Sequence, residues 1–272
     1  MSRSAWKRAA VVLVAAAVVA GAAGCQDGDG GTKAAGASAT AQPQTQSPEE
    51  AAKAVRAAYA KTTAAKSAKV EMRLNVGSDK APGGSTFTGV QAWGPAAADL
   101  KVFDSSYLAD IPGAPVETRV VAAGGATYVD LGTGLSAQTG GKRWLKVETG
   151  GAAAEDELML QLTGGLAAVN MDLPKELGLL AGSSTVKHVG PVKGGGIEAE
   201  VYEGEIPGAE LMQVWIGADG YPVKTIVHTE AGGAMNSLTT TYSDYGAEAS
   251  FQAPPAQDTV AFLDLLERLG RG

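Results

Sequence analysis

Val70-Glu71-Met72-Arg73-Leu74-Asn75-Val76 alternates apolar and polar residues at every step. A period of two puts Val70, Met72, Leu74 and Val76 on one face of a strand and Glu71, Arg73 and Asn75 on the other. Such a strand belongs in a sheet with one face against a core and the other in water, which antiparallel sheets provide. Reading outward, residues 86–93, 99–103, 117–122, 126–131 and 143–147 read as further strands. After an intervening stretch come 185–189, 197–206, 211–216, 222–229 and 237–245. Gly124-Gly125 and Asp219-Gly220 are hairpin signals between such strands. Few neighbours are separated by a helix of ordinary length, so the sheet is expected to be antiparallel.

Helical spacing is confined to the ends and the middle of this pattern. Ser47-Pro48-Glu49-Glu50 opens a helix: Ser47 suits the N-cap, Pro48 the first turn, and the two glutamates complement the helix dipole. Val55, Ala58, Tyr59 and Thr62 give it a weak apolar stripe ending near Ala65. Residues 155–170 carry Leu158, Met159, Leu162, Leu166 and Val169 at helical spacing, interrupted by Gly164-Gly165, and 173–180 add a second apolar piece. A last helix is expected over 260–269, with Phe262, Leu265, Leu266 and Leu269 on one side.

Upstream of the helix the chain reads as an address and a spacer. Arg3, Lys7 and Arg8 precede an uncharged run from Ala9 to Gly24, which ends at Cys25 after Ala22-Ala23-Gly24. This is the layout of a secretory signal peptide, and its small residues resemble a bacterial lipobox, departing at Ala22, where Leu is commonest. The competing readings are a membrane anchor, for which the run is short, and a plain signal peptide. Processing would remove residues 1–24 and make Cys25 a diacylated N-terminus, tethering the protein to the outer face of the cytoplasmic membrane, because two acyl chains anchor stably where one does not. Three basic residues and no acidic ones go with the signal, so the charge becomes more negative. Gln26 to Ser47 holds no Val, Leu, Ile, Met or aromatic residue. It is expected to be disordered and to reach roughly 25 Å from the membrane, either as a tuned spacer or as a passive leftover. The domain plan is thus a signal over 1–24, a lipid-anchored tether over 25–47 and one folded domain over 48–272.

Composition removes several functional classes. A single cysteine excludes an internal disulfide framework and any paired-cysteine site. Two histidines, His188 and His228, leave little for a metal centre, and no cofactor is implied. A formal charge of −7 argues against nucleic acid, which needs clustered cations. Nucleophile-elbow, zincin, P-loop and dinucleotide fingerprints are absent, and nothing aims a serine at either histidine, so the chain is not expected to be an enzyme. Asp219-Gly220 lacks the remaining ligands of a calcium loop, and Glu155-Asp156-Glu157 is explained by a helix start. Tyr242, Tyr245, Trp93, Trp144 and Trp215 can line a site, although most aromatic residues in alternating strands are core. Of 272 residues 45% are apolar but only 6% aromatic, so Ala and Val make up much of any core.

Several local phrases carry a family resemblance. They are Ala64-Ala-Lys-Ser-Ala-Lys-Val-Glu-Met72, Ala126-Thr-Tyr-Val-Asp-Leu131 and Gly141-Lys-Arg-Trp-Leu-Lys-Val147, then Val214-Trp-Ile-Gly-Ala-Asp-Gly-Tyr-Pro-Val-Lys224 and Thr240-Thr-Tyr-Ser-Asp-Tyr-Gly246. In this order, behind a lipobox and a tether, they resemble the actinobacterial LppX/LprA/LprF/LprG lipoproteins, which share the LolA/LolB-like fold. The resemblance spans roughly 48–255. It implies an α+β fold, a strongly curved antiparallel half-barrel whose concave face is covered by helices. It also implies a lipid or acylated ligand held in the apolar cavity between sheet and helices and carried within the envelope, with an envelope transporter or regulator as a possible partner. The alternative is a regulatory or scaffold lipoprotein that contacts a protein partner without transporting lipid. Strand parity nominates Met72, Leu74, Trp93, Leu100, Val102, Val129, Val214 and Ile216 as cavity residues, and Leu158, Leu162 and Leu166 as their helical lid.

Overall fold

The computed structural model describes residues 46–77, 83–106, 112–135, 138–148, 168–231 and 234–269. The expected signal, Cys25 and nearly all of the tether lie outside the described residues, as do 149–167 with the expected lid residues Leu158, Leu162 and Leu166.

Helix α1 (Pro48–Ala65) starts where the cap residues place it. The Ser47 hydroxyl accepts from the Glu50 backbone N–H at 3.3 Å, and the Glu50 carboxylate accepts from the Ser47 N–H at 2.8 Å. This reciprocal box satisfies two donors that a helix end would leave bare, and it holds the Glu50 carboxyl below the usual carboxylate range. The buried stripe is Ala51, Ala52, Val55, Ala58 and Thr62; Tyr59, expected on it, is instead exposed, beside Gly178.

Twelve strands form one sheet: β1 (Ser67–Val76), β2 (Gly83–Ala92), β3 (Ala97–Phe103), β4 (Thr118–Ala123), β5 (Ala126–Asp130), β6 (Trp144–Glu148), β7 (Lys187–Gly194), β8 (Ile197–Ile206), β9 (Ala209–Gly217), β10 (Pro222–Ala231), β11 (Ala234–Ser243) and β12 (Thr259–Ala261). Their spatial order is β12-β6-β5-β4-β3-β2-β1-β11-β10-β9-β8-β7, a curved sheet that does not close on itself. Helix α2 (Leu173–Gly182) interrupts the run of strands, and α3 (Phe262–Leu269) follows β12.

Ten of the eleven neighbouring pairs are antiparallel; β12 pairs with β6 in parallel, from Thr259 opposite Trp144 to Ala261 opposite Lys146. This corrects two expectations. The sheet is mixed at one edge, and the last helix begins at Phe262 because residues 259–261 are extended. The predicted strand 237–245 ends at Ser243, leaving Tyr245 beyond it.

Register brings two strands into close approach at one glycine. Gly89 lies between Val70 of β1 and Leu100 of β3, at an inward position, with φ +158°. A Cβ built there would stand 2.1 Å from the Asp99 carbonyl oxygen. The missing side chain lets β2 and β3 approach this closely.

Inward residues form two apolar clusters. In the first, α1 and α2 lie over β8–β10: Val55, Ala58, Leu173, Leu177 and Leu180 meet Tyr202, Met212, Val214, Ile216 and Val227, with Trp93 at the end. In the second, Val70, Met72, Leu74, Phe87, Leu100, Val102, Val120, Ala122 and Leu238 line the β1–β4 half with Val169 against them. Gln91 fastens the short 3-10 turn Ala168–Asn170 there, its side-chain amide donating to the Met171 carbonyl at 2.5 Å and the Val169 carbonyl at 3.3 Å. Asn170 adds a bond to the Thr127 hydroxyl of β5 at 3.0 Å.

Candidate ligand-binding cleft

The two clusters meet along one row of the sheet. Leu74 of β1 stands opposite Leu238 of β11, which stands opposite Val227 of β10. Two pairs along, on the same face, Thr229 is opposite Asn236. Above this floor stand Met171 and the first turn of α2 with Glu176, and the side is closed by the β8–β9 turn from Ile206 to Ala209. Together they bound a cleft of about 240 Å³.

Each wall follows from local sequence. Period-two alternation turns Leu74, Leu238 and Val227 inward. Asp172 caps α2, its carboxylate accepting from the Lys175 N–H at 3.2 Å, and Pro174 suits the first turn. That start fixes Leu173, Leu177 and Leu180 onto the core, leaving Glu176 at the cleft. The Pro207-Gly208 turn brings the end of β8 and the start of β9 beneath the helix.

The chemistry is apolar with three polar groups. Burial raises the Glu176 carboxyl above its usual range, with Lys175 opposing and Asp172 reinforcing the shift. Among the described residues the carboxylate has no hydrogen bond or ion pair. Asn236 uses its side-chain carbonyl to accept from the Gly77 N–H at 3.3 Å. Deeper in, the Tyr242 hydroxyl lies 3.2 Å from that of Thr225, and burial pushes the phenol up to about 12. An apolar pocket with a few placed polar groups is the usual form of a small-molecule site. A broader, more open groove of about 880 Å³ lies outside α2 and shares Ile206, Pro207 and Ala209 with the cleft.

The sequence-derived cavity residues divide between these regions. Leu74 lines the cleft. Met72, Leu100 and Val102, with Val129 partly buried, belong to the second cluster. Trp93, Val214 and Ile216 belong to the first, filled by α1 and α2, where the Trp93 indole N–H donates to the Thr62 carbonyl at 2.7 Å. Leu158, Leu162, Leu166 and Cys25 lie outside the described residues. Parity reasoning passed over Val227 and Leu238, which the same alternation selects, and Glu176, Thr229 and Asn236, which no spacing signal brings together.

The two histidines lie on different strands of the sheet, β7 and β10. His188 is buried in β7, where its Nδ1 accepts from the Gln46 backbone N–H at 3.2 Å, so that Nε2 carries the proton and bonds Glu200 at 2.6 Å. The Tyr202 hydroxyl donates to the Gln46 side-chain carbonyl at 3.2 Å, completing a clasp at the entry to the fold. His228 sits within β10, opposite Ser237 and Leu211. Among the described residues no group of three or more His, Cys, Asp or Glu side chains is arranged to hold a metal ion. None of the described helices is long and apolar enough to cross a membrane.

No family model matches the chain. It is 28% identical over 181 residues to an uncharacterized 31.2 kDa protein of the rplA-rplJ intergenic region of Streptomyces griseus, an alignment covering 53% of this chain. It is 27% identical over 153 residues to the lipoprotein candidate SCO4650 of Streptomyces coelicolor, again over 53% of this chain. The chain spans about half the length of these curated relatives, 56% and 51%. Two solved structures bear names given above from the sequence phrases. Mycobacterium tuberculosis lipoprotein LppX is 16% identical with a TM-score of 0.46, covering 76% of this chain and 100% of LppX. Mycobacterium bovis LprF is 15% identical with a TM-score of 0.43, covering 78% of this chain and 99% of LprF. The chain is similar to two mycobacterial lipoproteins and to one Streptomyces lipoprotein candidate, and its own architecture is a curved α+β half-barrel with helices over its inner face.

Proposed function

We propose that this protein is a membrane-anchored extracytoplasmic lipoprotein that binds a lipid or acylated ligand in an apolar cavity and carries it within the cell envelope. The observation that carries the reading is the cleft over Leu74, Leu238 and Val227, apolar in its floor and furnished with Glu176, Thr229 and Asn236. Burial of each methylene is worth about 0.8 kcal/mol, so a cleft that takes part of an acyl chain gains several kcal/mol before the losses of association. In this reading residues 1–24 are removed, diacylated Cys25 holds the protein on the outer face of the cytoplasmic membrane, 25–47 is its tether and 48–272 its lipid-binding domain. Its work is binding, with no chemical step and no cofactor.

A regulatory module that docks a partner on a sheet edge finds less support. The β7 edge carries Pro191, a register shift between His188 and Gly190, and Lys187 and Lys193. These features discourage strand addition.

The test is extraction. The full chain carrying Cys25→Ser, and so without its acyl anchor, is purified without detergent, extracted with organic solvent and examined by mass spectrometry. A reproducible acyl lipid in near-equal amount supports the proposal. A protein that is empty, and that also fails to bind a fluorescent acyl probe, refutes it.

A further inference from the structure

Glu176 has an unusual position for a surface-helix glutamate. It lines a cleft whose other described walls are Leu74, Met171, Val227, Leu238 and the turn from Ile206 to Ala209, with Thr229 and Asn236 as the polar remainder. It is the single ionisable group among the described lining residues. Its first-turn position on α2 suits the helix dipole, but dipole complementation does not require a carboxyl to line an apolar cleft. Burial raises the carboxyl above its usual range; Lys175 opposes the shift without reversing it, and the carboxylate forms no ion pair among the described residues.

Three kinds of hydrogen-bonding group therefore converge on apolar walls. Glu176 supplies acceptor oxygens, Thr229 a hydroxyl, and Asn236, whose carbonyl takes the Gly77 N–H, an amide NH2 that has no acceptor among the described residues. A hydroxyl head group, both donor and acceptor, matches that set. A second carboxylate or a phosphate does not: in a partly desolvated cleft two like charges repel far more than in water. Resting on the reading of this cleft as a lipid site, we propose that Glu176 sets the charge class of the ligand, admitting an amphiphile with an uncharged, hydroxyl-bearing head and rejecting the anionic lipid of the same chain length.

The experiment compares monooleoylglycerol and oleate, each below its aggregation concentration at pH 7.5, as competitors for a fluorescent monoacylglycerol. It is run on the full chain carrying Cys25→Ser and on the same chain with Glu176→Gln or Glu176→Lys, each checked for native circular dichroism. Without a substitution at 176, monooleoylglycerol is expected to compete at least tenfold more strongly. Glu176→Gln should bring the ratio to within about threefold through a gain in oleate binding, and Glu176→Lys should invert it. A ratio unchanged in both variants, or oleate preferred by the protein with Glu176, overturns the charge assignment and leaves lipid binding standing. Failure of the fluorescent acylglycerol itself to bind removes both.

Discussion

Gly89→Ala tests how much stability depends on the close approach of β2 and β3. A Cβ at this position would stand 2.1 Å from the Asp99 carbonyl oxygen, 3.0 Å from Leu100 Cα and 3.1 Å from the Asp99 carbonyl carbon. All three are backbone atoms of β3, so no rotamer change relieves the contact. The strand itself must withdraw, and β3 is held on its far side by β4. Two contributions add: about 1–3 kcal/mol for an alanine in glycine's part of backbone space, and about 1–3 kcal/mol for overpacking. The expected loss is therefore about 2–6 kcal/mol, a large share of the stability of a typical domain. Gly190→Ala is the matched control. Gly190 has φ +134° and sits at the register shift of edge strand β7, but a Cβ there meets nothing within 4 Å. It carries the conformational strain without the clash. Urea unfolding of the two variants, read as midpoint and slope, should show Gly89→Ala less stable by about 1–3 kcal/mol. If the two losses are equal, β3 withdraws freely, and the close approach at Gly89 is not under constraint.

Other perturbations test the parts separately. Leu177→Ala empties a fully buried position where α2 meets the first cluster and should lower stability by about 2–5 kcal/mol in urea; half-buried Leu179, on the open groove, should lose less. Ser47→Ala removes the side-chain half of the cap of α1 and should lower stability by about 1 kcal/mol. Asp130 is opposed by burial, but the Arg143 fork at 2.7 and 2.9 Å and the Gly132 N–H at 2.9 Å outweigh this and hold its carboxyl below the usual range. A depressed folded-state value adds stability that is present above the unfolded value, about 3.9, and lost as pH falls through the folded one. Asp130→Asn should thus be less stable at pH 7, with the gap closing below about pH 4. Glu176 has the opposite sign. Its raised folded-state value means the folded protein holds the proton more tightly, so ionisation above about pH 4 destabilises it. Glu176→Gln should be more stable than the native protein at pH 7 and indistinguishable from it in acid.

What could be read from the chain was whatever repeats along it. The alternation of Val70 to Val76 produced β1, the Ser47-Pro48 start produced α1, and Gly124-Gly125 and Asp219-Gly220 mark the β4–β5 and β9–β10 turns. Parity also identified residues that face inward, including Met72, Leu100 and Val214, all nearly fully buried. It does not say what lies opposite them. Val214 is covered by helices and Leu74 by a cleft because of where α2 lands, and that depends on contacts between segments far apart in the chain. Strand β12 was hidden for a different reason: three residues show no periodicity, and Val260 fits the helical pattern that follows equally well. Glu176 was passed over because a glutamate in the first turn of a helix satisfies dipole reasoning without a cleft. Its burial emerges only once β10, β11 and the Pro207-Gly208 turn are in place.

The placement of Glu176 bears on whether the cleft is functional or only a packing imperfection. A chain selected for stability alone would put glutamine or an aliphatic residue there, since an ionised carboxylate with no partner among the described residues, half removed from water, opposes folding. Local rules broken in an otherwise consistent fold are expected where function demands them. Here the surroundings are consistent: α2 is capped, the first cluster is closed, and Thr229 and Asn236 face each other in register beside the carboxylate. A ligand hydroxyl that hydrogen-bonds Glu176 would remove part of the penalty on binding, and any ligand selective for the folded state raises stability by mass action, about 2.7 kcal/mol at a hundredfold excess over Kd. The same carboxylate that lowers the stability of the empty protein would then enlarge the difference between empty and loaded forms. Monooleoylglycerol should accordingly raise the unfolding midpoint of the protein with Glu176 by more than that of Glu176→Lys, and an equal rise in both would place the ligand somewhere other than this cleft.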